Sequence, residues 1–192
     1  MTNLETRPAT IDDAVHLAAL VDIAGDGLPV RLWQEAAAPG QSAIEIGRSR
    51  AMREAGGFSF RNAHVAAIGG AVAGLLLGYP LTGEEDPAAA PPQVRGLVEL
   101  ELEVPRHWYV NILAVYPEFR GRGIGGSLLR LADAIGAKAC PDGMAIIVAS
   151  ANNGARRLYE RHGYRFAGRR PAPAYPGGRG SSEWLLLTKP HG

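Results

Sequence analysis

The chain of 192 residues has one cysteine, two lysines and no long apolar run. Each scarcity excludes something. With Cys140 alone there is no internal disulfide framework, which rules out a stapled extracellular mini-protein. No His/Cys cluster at metal-ligand spacing accompanies it, so no metal is expected and Cys140 reads as an incidental thiol. The longest apolar stretch, Val65 to Leu77, is broken by Gly69 and Gly70 and falls short of the roughly 18 residues of a membrane span. The polar start, Met1 to Thr10, has no apolar signal core, so a cytoplasmic location is the expectation. There is no fixed-period repeat. A G-x-x-x-x-G-K-[ST] segment is also missing, which disfavours a P-loop nucleotide hydrolase.

What is present is an ordinary globular balance, 46% hydrophobic and 20% charged, in a length that suits one domain over residues 1–192. The net charge of +1 hides an asymmetry. Residues 1–149 carry 12 basic and 17 acidic side chains, residues 150–192 eight and two. The basic set includes Arg156, Arg157, Arg161, Arg165, Arg169, Arg170 and Arg179. Glycine is abundant, with 25 residues.

Thr6 to Ala9 reads as a short strand. Thr10 or Asp12 then caps a helix in which Ala14, Leu17, Ala18 and Val21 recur at helical spacing, closed by Asp26-Gly27 and Pro29. Val30 to Ala38 and Ser42 to Ala55 are expected helices, stopped by Gly56-Gly57. The period then changes. Ala63 to Ile68 and Ala71 to Tyr79 are apolar runs about Gly69-Gly70, a hairpin signature. Leu81 to Val94, with Glu84-Glu85-Asp86 and Pro87, Pro91 and Pro92, is a surface loop. Trp108 to Val115 is a strand that stops at Tyr116-Pro117. Ile124, Leu128, Leu131, Ala132 and Ile135 mark a helix closed by Gly136 and Pro141, followed by the buried strand Met144 to Ala149. Asn152 or Asn153 caps a helix running to about His162, with Gly163 behind it. Arg165 to Arg169 and Glu183 to Leu187 are final strands around Pro171 to Gly180. The predicted class is α/β, a mixed sheet with one strand–helix–strand unit in its middle.

The most informative segment is Arg120-Gly121-Arg122-Gly123-Ile124-Gly125-Gly126, at a strand-to-helix junction. Glycines permit positive φ and close backbone approach. Helix-start amides offer unpaired donors at the positive end of the dipole. With two arginines added, this is an anion site suited to a pyrophosphate. The plainer reading is a tight turn that uses glycine to pack. Gly121, Gly123 and Gly126 also satisfy G-x-G-x-x-G. The acidic ribose contact expected at the end of the second strand is missing, however: Asp142 precedes Met144 to Ala149, and Ser150 and Asn152 follow it. A dinucleotide oxidoreductase is therefore disfavoured.

The run Asn111-Ile112-Leu113-Ala114-Val115-Tyr116-Pro117-Glu118-Phe119-Arg120-Gly121-Arg122-Gly123-Ile124-Gly125-Gly126-Ser127-Leu128-Leu129 resembles the acetyl-CoA motif of the GNAT N-acetyltransferase superfamily. The family core [QR]-x-x-G-x-[GA] falls on Arg120, Gly123 and Gly125. Ala151 to Tyr164 resembles the same family's N-x-x-A-x-x-L-Y-x-x-x-G-[FY] segment. The resemblance is sharp from about Trp108 to Phe166. It implies a GNAT fold, with a mixed, largely antiparallel sheet, a central splayed strand and flanking helices, and acetyl-CoA as co-substrate.

By that resemblance the backbone of Leu113, Ala114 and Val115 pairs with the pantetheine arm as an added strand would. The amides from Arg120 or Gly121 through Arg122, Gly123, Ile124 and Gly125 to Gly126 hold the pyrophosphate. Asn152 hydrogen-bonds the pantetheine region, and Arg156 lies on the helix that flanks the cofactor. The Val115 amide is the expected oxyanion contact. Tyr159 is the expected general acid for the departing thiolate, a neutral donor with a reference pKa of about 10. Without the resemblance, Tyr159 would read as a packing aromatic on an amphipathic helix.

The expected reaction is direct attack of a primary amine on the thioester within a ternary complex. Some family members place a Glu in the strand before the motif, whereas Trp108-Tyr109-Val110-Asn111 has no carboxylate. Glu99, Glu101 and Glu103 alternate just upstream, so in an extended segment they share one face. They are candidates for the base, directly or through water, or for holding a cationic acceptor; a solvated strand face is the alternative. His107 is a weaker candidate, and a water chain with no dedicated base is another option. An acidic acceptor side opposite a basic cofactor side would account for the segregated charge. The rival functions are a non-catalytic CoA-binding or sensing module of the same fold and a nucleic-acid binder built on the basic C-terminal set. The recognised nucleic-acid motifs are absent, so neither nucleic acid nor membrane is an expected partner. The acceptor is a small-molecule or peptide amine, and a homodimer stays open.

Overall fold

The computed structural model describes residues 3–176, 178, 180 and 182–191. Arg179, one of the basic set, lies outside the described residues. The elements follow as β1 (Leu4–Pro8), α1 (Ala14–Ala24), α2 (Leu28–Glu35), α3 (Ala43–Ala51), β2 (Ala63–Ile68), β3 (Ala71–Pro80), α4 (Arg95–Glu101), β4 (Trp108–Val115), α5 (Ile124–Ala139), β5 (Met144–Ala149), α6 (Asn153–Arg161), β6 (Arg165–Pro171) and β7 (Glu183–Lys189). The strand order is β1-β2-β3-β4-β5-β7-β6. Pairing is antiparallel at β1–β2, β2–β3, β5–β7 and β6–β7 and parallel at β4–β5. This is the mixed, largely antiparallel sheet expected. The chain divides into two compact units, Met1–Gly78 with Ile112–Leu128, and Tyr79–Asn111 with Leu129–Gly192.

In the first unit, the Gly69-Gly70 turn joins β2 to β3 with φ of 58° and 83°, a conformation that side chains disfavour and glycine accepts. The register of β2 and β3 shifts between Ala66 and Ala67, which leaves Ala73 as the extra residue of a bulge in β3. The bulge brings Gly74 beneath β4 and α5. A Cβ there would lie 2.9 Å from the Ala114 carbonyl oxygen and 3.3 Å from Ile124 Cγ2. The first helix starts through Asp13, whose carboxylate accepts from the Thr10 amide (2.8 Å) and from both terminal nitrogens of Arg7 (2.7 and 2.9 Å). Ala14, Leu17, Ala18, Leu20 and Val21 are then its buried face.

The next two helices differ from expectation at their ends. α2 spans Leu28–Glu35 rather than Val30 to Ala38, and α3 ends at Ala51 rather than Ala55. Ser42 is the N-cap of α3 and exchanges hydrogen bonds with Glu45, a capping box that fixes its start. The buried side of α3 is Ala43, Gly47 and Ala51, whereas Ile44 and Met52 are exposed. Small residues face inward because the Trp33 ring lies against Gly47 and leaves no room for a side chain.

In the second unit, β4 runs parallel to β5 from Trp108↔Met144 to Val110↔Ile146, and the ladder stops there. α5 continues through Gly136 to Ala139 instead of closing at that glycine. Gly136 is a packing position, since a Cβ would press on Met144 Sδ and Trp108 Cβ. α6 starts at the Asn152 cap, whose side chain accepts from the Ala155 amide (3.2 Å), and Gly163 follows it at φ 91°.

One expectation fails outright in this unit. Glu99, Glu101 and Glu103 do not lie on an extended segment: α4 is a helix over Arg95–Glu101 and the turn carries on through Glu103. Leucine and glutamate are strong helix formers and glutamate is a poor strand former, and the buried side chains Leu100 and Val104 stand four apart. The alternation of Val98 to Val104 is therefore overridden, and the three carboxylates no longer share a face.

Candidate active site

The first unit carries the glycine loop. After β4, Pro117–Phe119 makes one 3-10 turn, and the loop from Arg120 leads into α5. Gly121 and Gly123 have φ of 76° and 79°, and a Cβ on either would meet nothing within 4 Å. Neither glycine is there for packing; the loop is open above its backbone. The Ser127 amide bonds to the Gly123 carbonyl (3.1 Å), so the amides of Ile124, Gly125 and Gly126 form the helix-start set without intrahelical acceptors. Arg120 Nε donates to the Val115 carbonyl (3.2 Å) and Arg122 Nη2 to the Glu118 carbonyl (3.3 Å), with the Arg122 guanidinium over the Phe119 ring. Both arginines are exposed beside those amides, and the set suits a multiply charged anion. Leu113, Ala114 and Val115 occupy the end of β4.

The second unit carries the titratable groups. Tyr159 on α6 is buried, and burial pushes its phenol well above its ordinary value. It stays protonated and remains a donor. Its ring lies 6.1 Å from that of Tyr164. Asn152 spends its side-chain oxygen on the cap, and Arg156 Nη1 donates to the Ser150 carbonyl (3.2 Å) at the same turn.

The three carboxylates part company. Glu101 is half-buried at the end of α4, and burial pushes its carboxyl up to about 7; the Tyr109 hydroxyl bonds to it and acts against that rise, while Glu85 adds to it. Tyr109 is itself buried, packs edge-on against Tyr79 at 5.8 Å, and responds to the charges of Glu101 and Tyr159. Asn111 Nδ2 donates to the Tyr79 hydroxyl (2.8 Å). Glu99 and Glu103 instead bind Arg170 of β6, through Nε at 3.0 Å and through Nη2. An acidic acceptor wall of three free glutamates is thus not what the chain forms, because Arg170 neutralises two of them. Arg169 pairs with Glu183 at 3.4 Å, so these arginines of the basic tail serve ion pairs within the unit. His107 Nδ1 contacts the Pro105 carbonyl in the turn before β4.

Sequence reasoning assigned no role to Tyr79, Tyr109 or Asn111 and placed Arg170 only within the basic C-terminal set. Asn111 and Tyr109 lie within or beside the quoted motif and were available. Arg170 lies 67 residues from Glu103, and nothing local ties the two. Among the described residues no group of His, Cys, Asp and Glu could hold a metal ion. Among them also, no helix is long and apolar enough to cross a membrane.

The model of the Acetyltransferase (GNAT) family matches residues 30–164. The fold is similar to a crystal structure of an acetyltransferase, with TM-score 0.69 and 21% identity over 98% of this chain and 100% of the other. An N-acetyltransferase from Staphylococcus aureus Mu50 superposes with TM-score 0.66 at 15% identity, over 96% and 99% of the two chains. Ard1 from Thermoplasma volcanium gives 0.61 at 12% identity, over 97% and 96%. At such identities the likeness is one of fold. No curated protein matches the chain in sequence.

Proposed function

Because the chain belongs to the GNAT acetyltransferase family, whose model matches residues 30–164, we propose that it moves an acetyl group from acetyl-CoA to a primary amine by direct attack. The observation that carries the reading is the open loop of Gly121 and Gly123 leading into the free amides of Ile124, Gly125 and Gly126. A diphosphate fits it by charge and by donor geometry. Arg120 and Arg122 add charge beside it, and Leu113, Ala114 and Val115 offer backbone groups to the pantetheine arm. Asn152 and Arg156 complete the donor-side contacts.

The acceptor amine arrives largely as ammonium and must lose a proton before it attacks. Glu101 is the base of this scheme. A carboxyl titrating at about 7 is ionised for half of its population at neutral pH and basic enough to take the proton, directly or through one water. As the nitrogen bonds to the thioester carbon, the Val115 amide holds the developing oxyanion. The carbon–sulfur bond then breaks, the Tyr159 phenol gives its proton to the departing sulfur, and the second proton of the nitrogen restores the phenol through water, while Glu101 returns its proton to solvent. The products are an amide and free CoA thiol. The rival reading is a non-catalytic CoA-binding module, which needs no base.

The testing experiment has two stages. Acetyl-CoA at saturation should raise the melting temperature, and thiol release should follow with at least one member of a panel of primary amines. No shift would remove the acetyl-CoA reading. A shift with no turnover on any amine would favour the binding module.

A further inference from the structure

α4 has seven residues, which is too short for a helix to be stable by itself. It has no side-chain N-cap and no basic residue in its last turn. A cation near a helix C-terminus is stabilising, and here β6 supplies it. Arg170 Nε donates to Glu99 Oε2 and Nη2 to Glu103 Oε1. At about 100° of turn per residue, Glu99 and Glu103 share one face of the turn and Glu101 faces away from them. Arg170 therefore grips one side of the turn, while the other side meets Tyr109.

The seat of α4 on β6 is tight. A Cβ on Gly96 would lie 3.1 Å from both Arg170 Cβ and the Pro171 carbonyl oxygen, and one on Gly168 would lie 2.8 Å from Glu103 Oε2. The register of β6 against β7 shifts between Phe166 and Gly168. Past that bulge the pairing is regular, and Gly168 and Arg170, two residues apart, fall on one side of the strand.

We propose that Arg170 is a positioning residue for acetyl transfer: by bridging Glu99 and Glu103 it fixes the last turn of α4 and so holds the Glu101 carboxylate against Tyr109, without touching substrate. The inference rests on the reading of Glu101 as the base. The groups that face Glu101 are Tyr109 of β4, Tyr79 at the end of β3 and Glu85 of the loop before α4. Arg170 engages none of these, so its influence runs through the placement of the helix.

The test follows the Glu101 carboxyl by carbon-13 NMR of glutamate-labelled protein, assigned by the signal lost in Glu101→Gln. Wild type and Arg170→Lys should titrate near the same midpoint, about 7. Arg170→Gln should lower the midpoint by about one pH unit or more as the turn loosens and water reaches the carboxyl. With the best amine of the panel, its kcat should fall by about tenfold, with KM for acetyl-CoA unchanged and most of the loss restored by Arg170→Lys. The double variant Glu99→Gln/Glu103→Gln should reproduce the loss and serves if Arg170→Gln does not fold. An unmoved midpoint with unmoved kcat, even at a lower melting temperature, overturns the proposal. Full turnover in Glu101→Gln instead removes the base reading, and the NMR midpoint still decides whether Arg170 positions the carboxyl.

Discussion

The Tyr109 hydroxyl is the bonding partner of the Glu101 carboxyl, and the pair sits where α4 ends, beside Tyr79. Burial dominates that carboxyl and lifts it to about 7, against the hydrogen bond that would lower it. The geometry separates Glu101 from its neighbours, since Arg170 bonds to Glu99 and Glu103 instead.

The first prediction concerns pH. If Glu101 is the base, kcat/KM should rise through about pH 7 and flatten above it, and Glu101→Gln should lower it by about 10²-fold. Stability runs the other way. The folded protein holds this proton more tightly than the unfolded chain, so stability is fullest at acid pH and is lost as pH rises through the folded value. Glu101→Gln should therefore melt higher than wild type at pH 8, by about 1–3 kcal/mol in stability, and the two should converge towards pH 5. Thermal melts across that range check the sign.

Tyr159→Phe removes one oxygen from a buried ring and leaves its packing against Tyr164 intact. Turnover should drop by about 10²-fold while the melting shift caused by acetyl-CoA persists. Full turnover would remove Tyr159 as the acid.

Gly74→Ala places a methyl 2.9 Å from the Ala114 carbonyl oxygen, which is backbone and yields little. The expected cost is about 1–3 kcal/mol, with weaker acetyl-CoA binding because the end of β4 moves. Gly154→Ala, whose Cβ would meet only Asn152 Oδ1 at 3.9 Å, should instead stabilise by up to about 1 kcal/mol. Paired melts of the two variants test the contrast.

Asp13 is 5% exposed, and its bonds from Arg7 and the Thr10 amide hold its carboxyl below the usual range. A depressed folded value gives stability that is present above the unfolded value of about 3.9 and lost as pH falls through the folded one. Asp13→Ala should cost about 1–3 kcal/mol at pH 7, reduced from a fully buried pair because Arg7 is half in solvent. The difference from wild type should shrink in acid melts.

Much of the fold was legible. Gly69-Gly70, Gly163 and the Asn152 cap act through their own backbone angles or a bond three residues away, so local sequence shows them. The backbone form of the loop from Arg120 to Gly126 was legible for the same reason, since Gly121 and Gly123 take the positive φ that glycine permits. The strand-like alternation of Val98 to Val104 misled, because helix preference and the four-residue spacing of Leu100 and Val104 outweigh a period-two pattern over so short a stretch.

By itself, then, the sequence determined the family, the glycine loop with its open amides and the order of the elements apart from α4. Only the tertiary structure decided which glutamate stays outside the Arg170 ion pairs. Glu99, Glu101 and Glu103 are chemically identical and adjacent, and what separates them is contributed from afar: Arg170 of β6 binds two, and Tyr109 and Tyr79 enclose the third. Burial and ion pairing arise from residues brought together by chain folding, and no local pattern encodes them.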